Sequence, residues 1–246
     1  MTELAIIGGT GLTSLTNLEI TKREVVHTPY GEPSGSLTYG TLGGKEVVFL
    51  PRHGPGHTIP PHRINYRANI WALKHTGVAK VVAVAAVGGI SPELKPGMLV
   101  IPHQIIDYTW SRMNTFFEES LSHVTHIDFT EPYCAELRAL LIKSCEEASL
   151  EVCREGVYGA MQGPRLETTA EINRLERDGC TMVGMTGMPE AALAREVELC
   201  YATCAVVANW AAGRGAGAIS MDEIEHTLKE GANKIRTLLE RIVPLI

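Results

Sequence analysis

Two nearly uninterrupted apolar runs, Val81-Val-Ala-Val-Ala-Ala86 and Tyr201-Ala-Thr-Cys-Ala-Val-Val-Ala208, limit what this chain can become. A strand with one face in water alternates apolar and polar residues, so the continuous run Val81–Ala86 belongs to a sheet covered on both faces. It ends in Gly88-Gly89, and the second run is strand-like up to Asn209. Shorter strands are expected at Leu4–Ile7, Val47–Leu50 and Met98–Ile101, and near 152–160 and 181–185. Apolar spacing predicts helices at 65–75, 133–148, 168–178, 189–199 and 221–241, with Gly77 stopping the first. Thr168…Glu171 and Ser220…Glu223 have capping-box spacing, and Pro189 suits a first helical turn. Strands alternating with helices of this length predict an α/β layered fold. The 246 residues are 45% hydrophobic, enough for a full core. With no repeat, linker or low-complexity stretch, a single domain over 1–246 is expected.

The formal net charge of −6 argues against a nucleic-acid partner, which needs a basic face. No apolar run reaches the roughly 18 residues of a membrane span, and no basic-then-apolar leader opens the chain. A cytoplasmic protein without a membrane partner is the expectation. Cysteines 134, 145, 153, 180, 200 and 204 form no CxxC pair, so buried thiols are expected rather than disulfides. Cys200 and Cys204 should share a strand face. His123, His126 and Asp128 make no complete ligand set at a known spacing, so no metal is expected.

In α/β sheets, ligands gather at the carboxyl ends of strands. The chemically distinctive stretches fall there: Gly8-Gly9-Thr10-Gly11, Arg52-His53-Gly54, Ala85-Ala86, Met185-Thr186 and Ala208-Asn209-Trp210. Ser14 breaks a G-x-G-x-x-G dinucleotide pattern, and no Walker A sequence exists. Glycines alone would fit a plain strand-to-loop turn. The hydroxyls of Thr10 and Thr186 and the fork of Arg52 supply what a phosphate needs. An asparagine amide both donates and accepts, whereas a carboxylate only accepts. Asn209 can therefore donate to O6 of a 6-oxopurine and accept from a protonated N7. Glu167 can accept from the N1–H of the same base and would repel the bare N1 of adenine. Glu171, one turn later, reads as the capping-box acid.

Taken in order, these stretches, with Gly163-Pro164-Arg165-Leu166-Glu167 and Met185-Thr186-Gly187-Met188-Pro189-Glu190, resemble the trimeric purine nucleoside phosphorylase and methylthioadenosine phosphorylase family. The likeness runs from about Leu4 to the C-terminus. It implies a mixed central sheet partly closed into a barrel and flanked by helices, a homotrimer, and inorganic phosphate as co-substrate without any cofactor. It places phosphate at Thr10, Arg52, His53 and Thr186, with backbone from Ala86 and Ala85. The methylthioadenosine branch usually carries a hydroxyl at the position of Ala85 and Asp at that of Asn209. His57 matches a loop position near phosphate, and fits an ordinary loop histidine equally well. The base falls to Glu167, Asn209, Leu166 and Ala211, Leu166 standing where relatives commonly stack an aromatic. Trp210 is placed at the edge of the site or in a structural role. Met185 would pack on the ribose.

Met221 stands where 6-oxopurine phosphorylases have a histidine for the 5′-hydroxyl and methylthio-specific relatives have a small apolar residue; simple helix packing is the other reading. His126 matches a segment that reaches a neighbouring subunit's 5′ pocket. The resemblance makes Asn209 and His53 the catalytic pair. A 6-oxopurine pocket joined to a methylthioribose pocket implies phosphorolysis of S-methyl-5′-thioinosine. Inosine/guanosine or methylthioadenosine phosphorolysis are the close alternatives, and a catalytically silent nucleoside sensor is the distant one. Phosphate-dependent turnover separates enzyme from sensor.

Overall fold

A strand buried on both faces can satisfy its backbone only through neighbouring strands, and the centre of this protein is built from such strands. The computed structural model describes residues 2–12, 15–119 and 121–246, so Ser14 lies outside the described residues. The strands are β1 (Leu4–Gly8), β2 (Glu19–Glu24), β3 (Leu37–Leu42), β4 (Lys45–Pro51), β5 (Lys80–Gly89) and β6 (Leu99–Val100). They continue with β7 (Gln104–Asp107), β8 (Val152–Cys153), β9 (Val157–Ala160), β10 (Met182–Gly184) and β11 (Cys200–Trp210). The helices are α1 (Tyr66–His75), α2 (Ala135–Glu147), α3 (Thr169–Arg177), α4 (Gly187–Glu196) and α5 (Met221–Ile242).

β5 pairs in parallel with β1 along one edge and with β11 along the other. Its last residues, Gly88 and Gly89, also pair antiparallel with β10. The main path of the mixed sheet runs β2-β3-β4-β1-β5-β10-β9-β7, while β11, β6 and β8 branch off β5. The expected partial barrel is not realised as a closed ladder: among the described residues β2 and β7 end the path without pairing to each other.

Period-two alternation divides the central strands between two cores. Ala5 and Ile7 of β1, Val81, Ala83, Ala85 and Val87 of β5, and Tyr201, Ala205 and Val207 of β11 face one core with α1 and α4. Leu4 and Ile6, Val82 and Val84, and Ala202, Cys204 and Val206 face the other, with α2 and α5. Helices on both faces are why β5 has no polar alternation. Thr168 and Glu171 close a reciprocal capping box on α3. Ser220 accepts from the Glu223 N–H at 3.4 Å on α5, without the reciprocal bond among the described residues. Met188 remains extended at φ −119°, ψ 141°, as a residue before proline prefers, so α4 turns regularly only from Pro189.

Two sequence expectations need correction. The strand expected at 152–160 divides into β8, which pairs with β6, and β9, which pairs with β7 and β10. The cysteines are not all free thiols: Cys134 and Cys200 form a disulfide across 66 residues of sequence. Cys134 is the N-cap of α2 and Cys200 opens β11. The Cys134 N–H donates to the Tyr201 carbonyl at 2.8 Å, and the Cα atoms lie 5.1 Å apart, within bridging range. The remaining four cysteines are free. Cys200 and Cys204 share a face as expected, both packing on the α2/α5 core.

Gly231 lets α5 press against β11, since a Cβ there would lie 2.5 Å from Val206 Cγ1. Glycine to alanine within a helix normally gains about 1 kcal/mol. Here the stiff, buried valine cannot swing away, and overpacking costs typically 1–3 kcal/mol. Gly231→Ala is therefore expected to lower the melting temperature by about 2–4 °C in calorimetry; a rise would show that β11 yields at Val206.

Candidate active site

The ends of β1, β4, β5, β10 and β11 surround an open cavity of about 470 Å³. Thr10 follows β1, Arg52 and His53 follow β4, Ala85 and Ala86 lie in β5, and Met185 and Thr186 follow β10. Leu166, Glu167, Asn209, Ala211 and Met221 complete the expected residues that the fold brings to this cavity. Trp210 and His126 are not among them. Trp210 lines an adjoining hollow of about 530 Å³, and His126 is exposed on the segment between β7 and α2, away from its own chain's cavity.

At the end of the cavity where phosphate was expected, Arg52 is 1% exposed. Its Nε and Nη2 donate to the two carboxylate oxygens of Glu190 at 2.6 and 2.7 Å, and Nη1 donates to the Val84 carbonyl at 2.7 Å. Burial opposes the charged guanidinium, but the Glu190 carboxylate more than offsets it and Arg52 is held above its ordinary range. Gly9 makes room for this arm: a Cβ there would sit 2.4 Å from the Val84 carbonyl oxygen and 3.0 Å from Arg52 Nη1. His53 Nδ1 lies 2.8 Å from the Ile59 carbonyl. A carbonyl only accepts, so Nδ1 carries the proton and Nε2 of the neutral ring is an acceptor. Burial, then the Arg52 charge, depresses the His53 pKa to about 4. His57 also lines the cavity, its ring centroid 4.6 Å from that of His53 and tilted 46° to it, and holds a left-handed φ of 52°.

At the end where the base was expected, β11 slips its register against β5 between Val207 and Asn209. The extra residue reverses the alternation beyond it and re-aims the strand tip, a usual task of a bulge. The Asn209 amide donates to the Trp210 carbonyl at 2.7 Å, leaving its second N–H and its carbonyl free for a ligand. Glu167 Oε1 is buried without a hydrogen-bond partner among the described residues, and burial raises its carboxyl above the usual range. Glu171 is the capping acid and pairs with Arg165 at 2.7 Å. The far end is apolar, formed by Met221, Ile224, Ile219 and Leu228. Met221 is 62% exposed at the mouth.

Three residues with no expected role support these groups. Glu190 and Tyr201 form a buried network with Arg52. Arg112 donates to the Met185, Met188 and Gln162 carbonyls at 2.8, 2.6 and 2.8 Å, holding the backbone on both sides of Thr186. Glu190 left a signal in the sequence: it is the one acid in the apolar stretch Met188–Ala194, and a fully buried acid needs a partner. Arg112 left none, because its partners are backbone carbonyls distant in sequence.

His53 is neutral when folded down to about pH 4, whereas an unfolded histidine protonates near 6.5. Its contribution to stability is complete above pH 6.5 and is lost as pH falls from there toward 4. His53→Asn should therefore lose less melting temperature than wild type between pH 7 and 4.5; equal losses would contradict the buried neutral imidazole.

The chain matches the phosphorylase superfamily over residues 3–244. It is 53% identical over 243 residues to a probable S-methyl-5′-thioinosine phosphorylase of Pseudomonas syringae pv. tomato, covering 99% of each chain. It is 47% identical over 251 residues to the 6-oxopurine nucleoside phosphorylase of Pyrococcus furiosus, covering 100% of this chain and 94% of the relative. In three dimensions it is similar to the methylthioadenosine phosphorylase from Schistosoma mansoni in complex with adenine, with a TM-score of 0.95, 33% identity, and coverage of 100% and 92% of the two chains. The family implied by the strand-end motifs is the one found: the chain belongs to the phosphorylase superfamily, with the purine nucleoside and methylthionucleoside phosphorylases.

Proposed function

We propose that this enzyme carries out the phosphorolysis of S-methyl-5′-thioinosine, giving hypoxanthine and S-methyl-5-thioribose 1-phosphate. The observation that carries the reading is the buried, unpartnered Glu167 Oε1 beside Asn209 in one cavity. A buried acceptor without a donor is costly, and the N1–H of a 6-oxopurine supplies that donor. Adenine presents a lone pair there instead. The relative named for S-methyl-5′-thioinosine supports the same base and sugar. At the 5′ end, Met221, Ile224, Ile219 and Leu228 suit a methylthio group, since none can donate a hydrogen bond to a hydroxyl.

Phosphate is held by Thr10, Arg52, His53 and Thr186, with backbone at Ala85 and Ala86. It attacks C1′ as the C1′–N9 bond breaks, and the bonding pair leaves on the purine. Met185 lies against the ribose, and Leu166 packs on the base without the aromatic stacking of relatives. Asn209 meets the charge developing at N7 and O6, and Glu167 holds N1–H; donors fixed in advance at developing charge are the strongest means an active site has. His53, as the neutral Nδ1–H tautomer, offers Nε2 as an acceptor to the hydroxyl of hydrogen phosphate. No covalent intermediate is needed.

The chain acts as a homotrimer. Trp110, Met113, Leu121 and Val124 expose apolar side chains, Val124 72% and Trp110 67%, on the same segment as His126. A neighbour seated there would cover them and bring His126 to the open mouth at Met221. Light scattering should find a trimer, and a fully active monomer would refute the assembly.

Wild type should prefer methylthioinosine over methylthioadenosine by roughly 10⁴-fold in kcat/KM, the scale at which mismatched polar groups reject a substrate. Asn209→Asp should lower methylthioinosine turnover by about 10²–10³-fold without creating adenine use, because Glu167 still faces the bare N1. Met221→His should improve inosine relative to methylthioinosine, by no more than about 10²-fold. A phosphorolysis panel of methylthioinosine, methylthioadenosine, inosine, guanosine and adenosine reads all three. A wild-type preference for methylthioadenosine would overturn the assignment of Glu167 and Asn209.

A further inference from the structure

Glu190 is 0% exposed in α4 and lies outside the cavity lining, so it does not touch the ligand. Yet both of its oxygens are committed toward the cavity's cation. Oε2 accepts from Arg52 Nε at 2.6 Å, and Oε1 accepts from Arg52 Nη2 at 2.7 Å and from the Tyr201 hydroxyl at 2.8 Å. The Tyr201 oxygen in turn lies 3.4 Å from Thr203 Oγ1. Arg52 Nη1 is fixed separately by the Val84 carbonyl. A guanidinium has five N–H donors; three are consumed in this way, and one remains on each of Nη1 and Nη2. These are the N–H donors of Arg52 left for the cavity that it lines.

We infer that Glu190, braced by Tyr201, is a positioning residue that locks Arg52 so that only the one N–H left on each of Nη1 and Nη2 is presented to phosphate. The inference rests on the proposed role of Arg52 in phosphate binding. Two features of the network make positioning a better description than charge supply. The carboxylate accepts from the Nε/Nη2 edge in a two-pronged pairing, which fixes rotation as well as distance. It also cancels the charge of Arg52, the only Lys or Arg among the described lining residues, where burial holds the two histidines, His53 and His57, below the usual histidine range. Phosphate is thus gripped by aimed donors rather than by surplus charge, and an error in aim is not compensated by attraction at a distance.

The test uses the full-length enzyme, with phosphate and methylthioinosine varied separately. Glutamine offers one acceptor and turns an NH₂ toward an N–H donor, so Glu190→Gln should raise the phosphate KM by roughly tenfold to a hundredfold, the scale of one charge-assisted bond. The methylthioinosine KM should stay within about twofold. Tyr201→Phe removes the brace and leaves the ion pair, and should give a smaller rise in the phosphate KM alone. Glu190→Asp keeps the charge and should recover part of the glutamine loss. If stranding the buried guanidinium prevents Glu190→Gln from folding, Tyr201→Phe decides: an unchanged phosphate KM overturns the proposal. A lower phosphate KM in Glu190→Gln would mean that charge outweighs aim and would also overturn it, as would a fall in melting temperature with both KM values raised equally. Arg52→Lys separates the two layers. An unchanged phosphate KM there sinks the role of Arg52 itself. A raised value beside unaffected Glu190 and Tyr201 variants sinks only the positioning.

Discussion

Parallel pairing of β1, β5 and β11 sends three chain ends out of the same edge of the sheet, and each backbone bond in that ladder opposes turning one of them away. Leu4 to Ile7 run beside Lys80 to Ala83, and the other edge of the same β5 residues carries Cys200 to Thr203. Because α1 and α4 cover one face and α2 and α5 the other, no water is available to replace a broken bond. Ala85, Ala86 and Asn209 are therefore spaced by ladder geometry, while Thr10 stands in the turn two residues beyond the end of β1. The irregularity in the β5/β11 pairing, the bulge before Asn209, sits where a side chain has to be aimed.

The three ends of the cavity differ in how they leave binding capacity open. The end proposed for the base has a buried acceptor, Glu167 Oε1, with no donor among the described residues. The 5′ end has apolar side chains with no polar group among them, and Met221 remains largely exposed. The phosphate end has a cation already satisfied on one side by Glu190. A neutral hydrogen-bonding end, a carboxylate and an apolar wall together describe a ligand more narrowly than any one of them, and they match an anion, a protonated purine nitrogen and a thioether.

Much of this was legible in the sequence because it depends on local pattern. The apolar runs marked β5 and β11, and Thr168…Glu171 marked the start of α3. The strand-end motifs named Thr10, Arg52, His53, Ala85, Ala86, Met185, Thr186 and Asn209, which the fold brings to one cavity. What was not legible depends on meetings between distant segments. β2 reads Glu-Ile-Thr-Lys-Arg-Glu, is largely exposed, and is a strand only because β3 lies beside it. The Cys134–Cys200 bridge depends on α2 docking at the foot of β11. Glu190 was visible as an odd acid, but its partner 138 residues away was not.

Arg112 ties together regions that would otherwise be independent. Its neighbours Trp110 and Met113 point apolar side chains outward, while its own guanidinium reaches inward to the carbonyls of Met185 and Met188. The surface strap and the backbone around Thr186 thus share one side chain as a mechanical joint. A force that lifts the strap must break bonds on either side of Thr186, and a strap held down keeps that hydroxyl in place. The rigidity of the reaction chamber is set partly from outside it, on a surface that never meets the substrate of its own chain.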